Sequence, residues 1–97
     1  MKVVRIWNTN LKDCSAFLGL EKLEELYLLN NEINDLSCLK KLVGLKDLSL
    51  RGNQIQSIPD LSGLIGLTFL NLLENQILDF TPLGNLVLLQ TLWIEEN

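Results

Sequence analysis

Apolar residues recur along the chain in a pattern that repeats every 22 positions. The pattern reads Leu-x-x-Leu-x-Leu-x-x-Asn-x-Ile from Leu23, from Leu45 and from Leu67, and its first part returns at Leu89. Counting back by the same interval places Met1 at the start of an equivalent unit. A period of this length is typical of a solenoid, in which each unit buries its apolar edge against its neighbours. We therefore predict one domain, residues 1–97, with repeats 1–22, 23–44, 45–66, 67–88 and a partial repeat 89–97.

Each unit contains a short stretch in which apolar and other residues alternate, as a half-buried strand requires. Two apolar side chains of each stretch are predicted to point to the core, and the residues between them to point to solvent. We expect five parallel strands: Val3 to Trp7, Glu25 to Leu29, Asp47 to Arg51, Phe69 to Leu73 and Thr91 to Glu95. An asparagine follows each of the last four strands, where a short amide can bond to backbone groups of the turn. The predicted structural ladder consists of Asn31, Asn53, Asn75 and Asn97.

The remainder of each unit is too short for a long helix, so we expect a single 3₁₀ or α turn there. Thr81 and Ser37 are predicted to cap two of these turns through their hydroxyl groups. Asp13, Asp35, Ser57 and Asp79 hold one equivalent position just before the turns. An incomplete row of acids without further ligands favours capping and solvation over a metal site.

This repeat resembles the leucine-rich repeat family over all 97 residues. The repeat length and the segment 75–86 look most like the bacterial internalin type, and the regulators of protein phosphatase 1 are a more distant match. The resemblance implies an α/β solenoid with a curved parallel β-sheet on the concave side and short 3₁₀ or α turns on the convex side. It also implies that the concave face binds other proteins.

Four aromatic residues occupy outward positions of the predicted strands, where roughly one is expected by chance. Exposed aromatic side chains in a concavity are common anchors of protein contacts, although strands also favour aromatic residues for packing alone. Two leucines share these outward positions, and polar residues separate the two apolar groups. The predicted protein-binding residues are Trp7, Tyr27, Leu29, Asp47, Arg51, Phe69, Leu73 and Trp93.

Composition and charge exclude several function classes. The net charge of −4 and the lack of a basic stripe argue against a nucleic-acid partner. No apolar run approaches the ~18 residues of a membrane-spanning helix, so no membrane insertion is expected. The chain has no histidine, no glycine-rich phosphate loop and no convergent carboxylates. We therefore expect no enzymatic activity, no cofactor and no metal.

The two cysteines are predicted to be free thiols. Cys14 takes a core position of its repeat, whereas Cys38 lies two positions past the equivalent one, so their side chains should point in different directions. A bond between them is the alternative. Free thiols and the absence of a secretory signal in the first residues predict a cytoplasmic location. The location stays open if these residues are a piece of an exported protein.

The principal functional hypothesis is binding of a peptide or protein segment on the concave face. Five strands present a projected face of roughly 19 by 16 Å, which suits a peptide or a single helix. One alternative is an uncapped piece of a longer repeat protein that self-associates through its ends, since Lys2 and Arg5 on the first strand oppose Glu95 and Glu96 on the last in charge. The second alternative, a phosphatase-type regulatory subunit, is implied only by the resemblance to that regulator.

Overall fold

The computed structural model describes residues 2–97, and five parallel strands form one sheet in chain order. The strands are β1 (Val3–Arg5), β2 (Glu25–Tyr27), β3 (Asp47–Ser49), β4 (Phe69–Asn71) and β5 (Thr91–Trp93). Each begins 22 residues after the previous one. Neighbouring strands pair without offset, as Leu26 with Leu48 and Leu48 with Leu70 show. The predicted parallel sheet of a repeat solenoid is therefore confirmed.

Each regular strand has three residues, although the alternation predicted five. Hydrogen bonds between repeats continue beyond the strands, because the N–H groups of Ile6 and Leu28 donate to carbonyls of the next repeat at 2.9 Å. The chain leaves the extended conformation at the eighth position of every repeat. The residues there are Asn8, Asn30, Gly52, Glu74 and Glu96, with φ between 54° and 74°. This left-handed residue ends the segment that follows each strand.

Inward-pointing leucines of the sheet form the centre of the core. Leu26, Leu48 and Leu70 are 0% exposed because a repeat covers them on each side. Leu92 holds the same position in β5 and is 40% exposed. Full burial of one such side chain stabilises the fold by about 2 kcal/mol relative to leaving it in water. The inner repeats therefore supply most of the core.

Short helical turns form on the convex side in three of the four full repeats, whereas the predicted turn is absent from repeat 45–66. The 3₁₀ helices are Ser15–Phe17, Ser37–Lys41 and Thr81–Asn85. The hydroxyl caps are wrong, because two of these helices begin at Ser37 and Thr81 themselves. Carboxylates supply the contacts instead: Asp35 accepts the Ser37 N–H at 2.9 Å, and Asp79 accepts the Thr81 N–H at 2.9 Å. These backbone hydrogen bonds lower the pKa of both carboxyl groups below the ordinary value.

The ladder asparagines link each repeat to the one before it. The Asn53 amide nitrogen donates to the carbonyls of Leu28 at 2.8 Å and Leu50 at 2.9 Å, and its oxygen accepts the Ile33 N–H at 3.0 Å. Asn75 makes the equivalent contacts one repeat further along. Both side chains are buried, so they make hydrogen bonds to backbone N–H and carbonyl groups that water does not reach.

The structure contradicts the predicted free thiols, because Cys14 and Cys38 form a disulfide bond. The two residues are 1% and 6% exposed, and their Cα atoms are 5.9 Å apart. Cys38 lies in a 3₁₀ helix, where successive side chains are rotated by about a third of a turn. The in-and-out alternation of a strand does not apply there, so Cys38 points inward together with Cys14.

Candidate functional site

The concave face is the surface formed by the third, fifth and seventh residues of each repeat, which alternate with buried positions. Because the strands pair in register, residues of one position form a row with a spacing of about 4.8 Å. The third-position row is Val3, Glu25, Asp47, Phe69 and Thr91. The fifth-position row is Arg5, Tyr27, Ser49, Asn71 and Trp93. The seventh-position row is Trp7, Leu29, Arg51, Leu73 and Glu95.

The two tryptophans are the exposed aromatic side chains of the concave face. Trp7, just after β1, is 55% exposed, and Trp93, in β5, is 46% exposed. Four strand spacings separate these residues, a distance of roughly 19 Å. The structure therefore places them at opposite ends of the face and does not bring them together.

Tyr27 lies in a polar cluster near the middle of the face. Its hydroxyl donates to Glu25 at 2.8 Å and lies 3.4 Å from an oxygen of Asp47, while the Arg5 guanidinium lies 5.3 Å from the centre of its ring. Burial, followed by the hydrogen bond to Glu25, raises the pKa of Tyr27 to about 12. The hydroxyl therefore stays protonated at neutral pH and remains a donor to Glu25, with Asp47 close by.

The other apolar residues of the face are half-buried. Phe69, Leu29 and Leu73 all show this intermediate exposure. Phe69 pairs in register with Asp47, so an aromatic ring adjoins the polar cluster. The N–H of Leu73 donates to the side-chain oxygen of Asn71 at 3.0 Å. Leu29 therefore extends the apolar surface in the repeat next to Trp7, and Phe69 and Leu73 extend it in the repeat next to Trp93.

Arg51 is held in place by a neighbouring repeat. Two of its guanidinium nitrogens contact the Glu74 carboxylate, at 3.2 and 3.3 Å. The hydrogen bond to Glu74 raises the pKa of Arg51, and the same contact lowers the pKa of Glu74. Both side chains remain exposed, so the pair orients the guanidinium more than it stabilises the fold.

Sequence reasoning missed three residues of this surface: Arg5, Glu25 and Glu74. The alternation already placed Arg5 and Glu25 at outward positions. Arg5 and Glu25 were left out because outward positions were chosen mainly for apolar side chains. These two charged residues nevertheless set the environment of Tyr27. Glu74 carries no such signal, because it belongs to the turn and reaches the face only through its contact with Arg51.

In residues 2–97, no three or more Asp, Glu, His or Cys side chains converge as metal ligands would. Over the same residues, no helix has the length and apolar character needed to cross a membrane. A cavity of about 330 Å³ lies on the convex side beside Cys14 and Cys38, away from the concave face.

Two family models match the chain. Residues 1–55 match a model described as leucine rich repeat, and residues 43–85 match one described as leucine rich repeats in two copies. The first match alone covers more than half of the 97 residues. No curated protein sequence gives a significant match to the chain.

A solved structure with a similar fold is that of internalin C2 from Listeria monocytogenes. The chain is 30% identical to it, with a TM-score of 0.63 over 93% of its own length. The chain spans 50% of the length of that internalin. The likeness therefore extends over nearly all of this chain but over half of the larger protein.

Proposed function

Because the chain belongs to the leucine-rich repeat family, we propose that it is a non-catalytic module that binds a peptide or protein segment on its concave face. Leucine-rich repeat domains generally mediate protein–protein interactions. The observation that carries the proposal is the exposure of Trp7 and Trp93 on one sheet face. Tryptophan is enriched among the residues that dominate binding energies. Residues 1–97 act as one repeat domain in this proposal, with internalin-like repeats.

The spacing of the tryptophans limits the ligand. Roughly 19 Å corresponds to about six residues of extended peptide or about 13 residues of helix. Between the tryptophans lie the polar cluster of Tyr27 and Asp47 and the guanidinium of Arg51. A fitting ligand is therefore apolar at both ends and polar or charged in its middle.

Catalysis is not part of the proposed function. The chain has no histidine, the side chain that most often acts as a general base. The concave carboxylates of Glu25 and Asp47 are engaged by the Tyr27 hydroxyl, which stays protonated at neutral pH. We propose a protein ligand, no nucleic acid, no cofactor and no membrane insertion. Nothing in the geometry favours the phosphatase-regulator alternative.

Peptides selected from a displayed random 12-residue library against the immobilised chain would test the concave face. Trp7→Ala and Trp93→Ala should each weaken selected peptides by roughly thirtyfold, because tryptophan anchors commonly contribute about 2 kcal/mol. Leu78→Ala is the matched control, since Leu78 is 92% exposed and lies outside this face. Tyr27 and Phe69 are less suitable, because both are half-buried and their truncation would also alter packing.

The outcome against the proposal is equally specific. If the selected peptides bind the double variant Trp7→Ala/Trp93→Ala as tightly as the natural chain, the concave face is not the binding surface. Circular dichroism of each variant shows that it has kept its fold, so a lost affinity is not mistaken for unfolding.

The disulfide bond bears on the proposed location. The cytoplasmic expectation rested partly on free thiols, and the bond between Cys14 and Cys38 removes that support. Disulfides persist mainly in oxidising environments outside the cytoplasm. We propose that the chain works in such an environment. Thiol labelling of protein isolated from its native host without reductant tests this: no thiol should react before reduction and two after it, whereas labelling beforehand favours the cytoplasm.

Self-association is a second proposal, favoured by the 40% exposure of Leu92 against 0% for Leu70. Within residues 2–97, β1 and β5 each have one edge without a neighbouring strand. Arg5 at the first edge and Glu95 near the last carry opposite charges, which favours head-to-tail contact. Light scattering of residues 1–97 at about 100 μM should show a mass that falls on dilution. A monomeric mass at every concentration would exclude this association.

A further inference from the structure

An exposed apolar row runs along the edge of the solenoid where the strands begin. Val43 and Ile65 precede strands β3 and β4 and are 52% and 73% exposed, and Val87 before β5 is 83% exposed. The three residues recur at the same repeat position, and Leu88, 56% exposed, follows the last. These four residues are called the apolar edge row. They lie outside the concave face, so the proposed function does not account for them.

Successive repeats stack closely at this edge. A Cβ atom at Gly44 would lie 3.2 Å from the Leu23 carbonyl oxygen, and one at Gly66 would lie 3.9 Å from the Leu45 carbonyl oxygen, so each pair joins the end of one repeat to that repeat's start, one turn of the solenoid away. Gly44 and Gly66 directly follow Val43 and Ile65, whereas the preceding leucines are buried. The row therefore continues across three repeats at the strand spacing of about 4.8 Å.

The edge beside this row is basic, although the whole chain has a net charge of −4. Three exposed lysines, Lys22, Lys40 and Lys41, flank the row at its first end, where one exposed acid, Glu21, holds the row's repeat position. The ion pairs found within residues 2–97 do not include these three lysines. Two hydrogen bonds from Ser62 lower the pKa of Asp60 most, and the positive charge of Lys40 lowers it further. The opposite edge, formed by positions 8–13 of the repeats, is acidic.

We propose that the apolar edge row binds an acidic amphipathic helix of a protein partner. Residues three and four apart on one helix face are separated by about 4.5 to 6 Å along the axis, which matches the strand spacing. A helix lying along the row thus places one apolar side chain against each of Val43, Ile65 and Val87. Acidic residues on its flank meet Lys22 and Lys41.

The size of the surface favours one helix over a second copy of this chain. Four exposed side chains form a patch of the order of a few hundred Å². A stable interface between two proteins buries about 800 Å² on each partner. The longest helix within residues 2–97 has five residues, so a second copy does not present the required helix there. This binding is independent of the concave face.

A synthetic 15-residue helical peptide, with leucines at i, i+4, i+7 and i+11 and glutamates beside them, is the probe. In an amide NMR titration, shifts should be confined to residues of this edge, including Gly44, Ile65 and Gly66. Ile65→Ser should weaken the peptide by roughly tenfold. Leu78→Ser, which changes an exposed leucine outside the row, and Trp7→Ala on the concave face should leave the affinity unchanged.

Three results would overturn the proposal. The first is no shift at 1 mM peptide, or the same shifts with a scrambled peptide. The second is a shift pattern centred on the concave face, because the peptide would then bind the concave face and not the apolar edge row. The third is binding to vesicles containing phosphatidylserine that Ile65→Ser abolishes, without any peptide binding, because the row would then face lipid. Since Trp7→Ala tests the concave face separately, failure of one proposal is distinguishable from failure of the other.

Discussion

Replacing Asn53 by alanine should lower the free energy of unfolding by about 3 kcal/mol. The side chain supplies three hydrogen bonds of 2.8 to 3.0 Å to backbone groups of Leu28, Ile33 and Leu50. Ile33 is 0% exposed, so water does not replace the lost acceptor for its N–H. One such buried unsatisfied group costs about 1–3 kcal/mol, and the two carbonyls add to it.

Asn53→Asp tests the hydrogen bonds separately from side-chain volume, because aspartate has nearly the size of asparagine but lacks the amide donor. The carboxylate keeps an acceptor for the Ile33 N–H but faces the Leu28 and Leu50 carbonyls without a donor. Burial and these carbonyls raise the pKa of the new carboxyl group above its unfolded value of about 4. For an acid with a raised folded pKa, stability relative to the natural chain is greatest below the unfolded pKa and falls as pH rises. The free energy of unfolding of Asn53→Asp, relative to that of the natural chain, should therefore be lower at pH 7 than at pH 4.

Urea denaturation followed by far-ultraviolet circular dichroism measures these effects. With a slope of about 1–3 kcal/mol per molar urea, a loss of 3 kcal/mol moves the midpoint by roughly 1–3 M. Asn34→Ala is the control, since Asn34 is an exposed asparagine outside the ladder and should change stability by no more than about 0.5 kcal/mol. If Asn53→Ala matched this control, the ladder would not stabilise the fold.

Four further predictions concern the fold. Leu48→Ala should cost about 2–5 kcal/mol in the same urea assay, because Leu48 is 0% exposed; a neutral result would contradict the assigned register. Gly52→Ala should cost about 1–2 kcal/mol, because φ there is 74° and alanine is strained at this angle; an unchanged urea midpoint would contradict this strain. Because the folded state lowers the pKa of Asp35 below its ordinary value of 3.8, the Asp35 carboxylate stabilises the fold above pH 3.8, and this stability is lost as pH falls through the folded pKa. Asp35→Asn should therefore make the fall of melting temperature at acid pH less steep. Reduction of the Cys14–Cys38 bond, with a sequence separation of 24, should lower stability by about 3 kcal/mol, and equal melting with and without reductant would show otherwise.

The sheet was predictable because its signal is repeated. Leu26, Leu48 and Leu70 hold one position of the repeat, and alternation fixes which side of the strand they take. The left-handed turn position was predictable only in part, because Asn8, Asn30 and Gly52 carry a signal for it but Glu74 and Glu96 do not. Only glycine, and asparagine to a lesser degree, signals positive φ in a sequence.

The environment of the concave residues depends on contacts between repeats. The burial of Tyr27 involves Arg5 on one neighbouring strand and Asp47 on the other, and a pattern within one strand contains neither contact. The pairing of Cys14 with Cys38 was missed for a related reason, since the direction of Cys38 follows from a 3₁₀ helix whose start the sequence placed one residue late.

The uniform pairing of the strands has a consequence for how the molecule could change in evolution. Every junction between repeats has the same offset, and Asn53 and Asn75 bond to the preceding repeat in the same way. Duplicating one unit at a junction would reproduce every type of contact and add one strand. The distance between Trp7 and Trp93 would then grow by about 4.8 Å, or between one and two residues of an extended ligand. Under the proposed function, the length of ligand that the concave face accepts is thus set by repeat number and can change in whole-repeat steps, without redesign of any single contact.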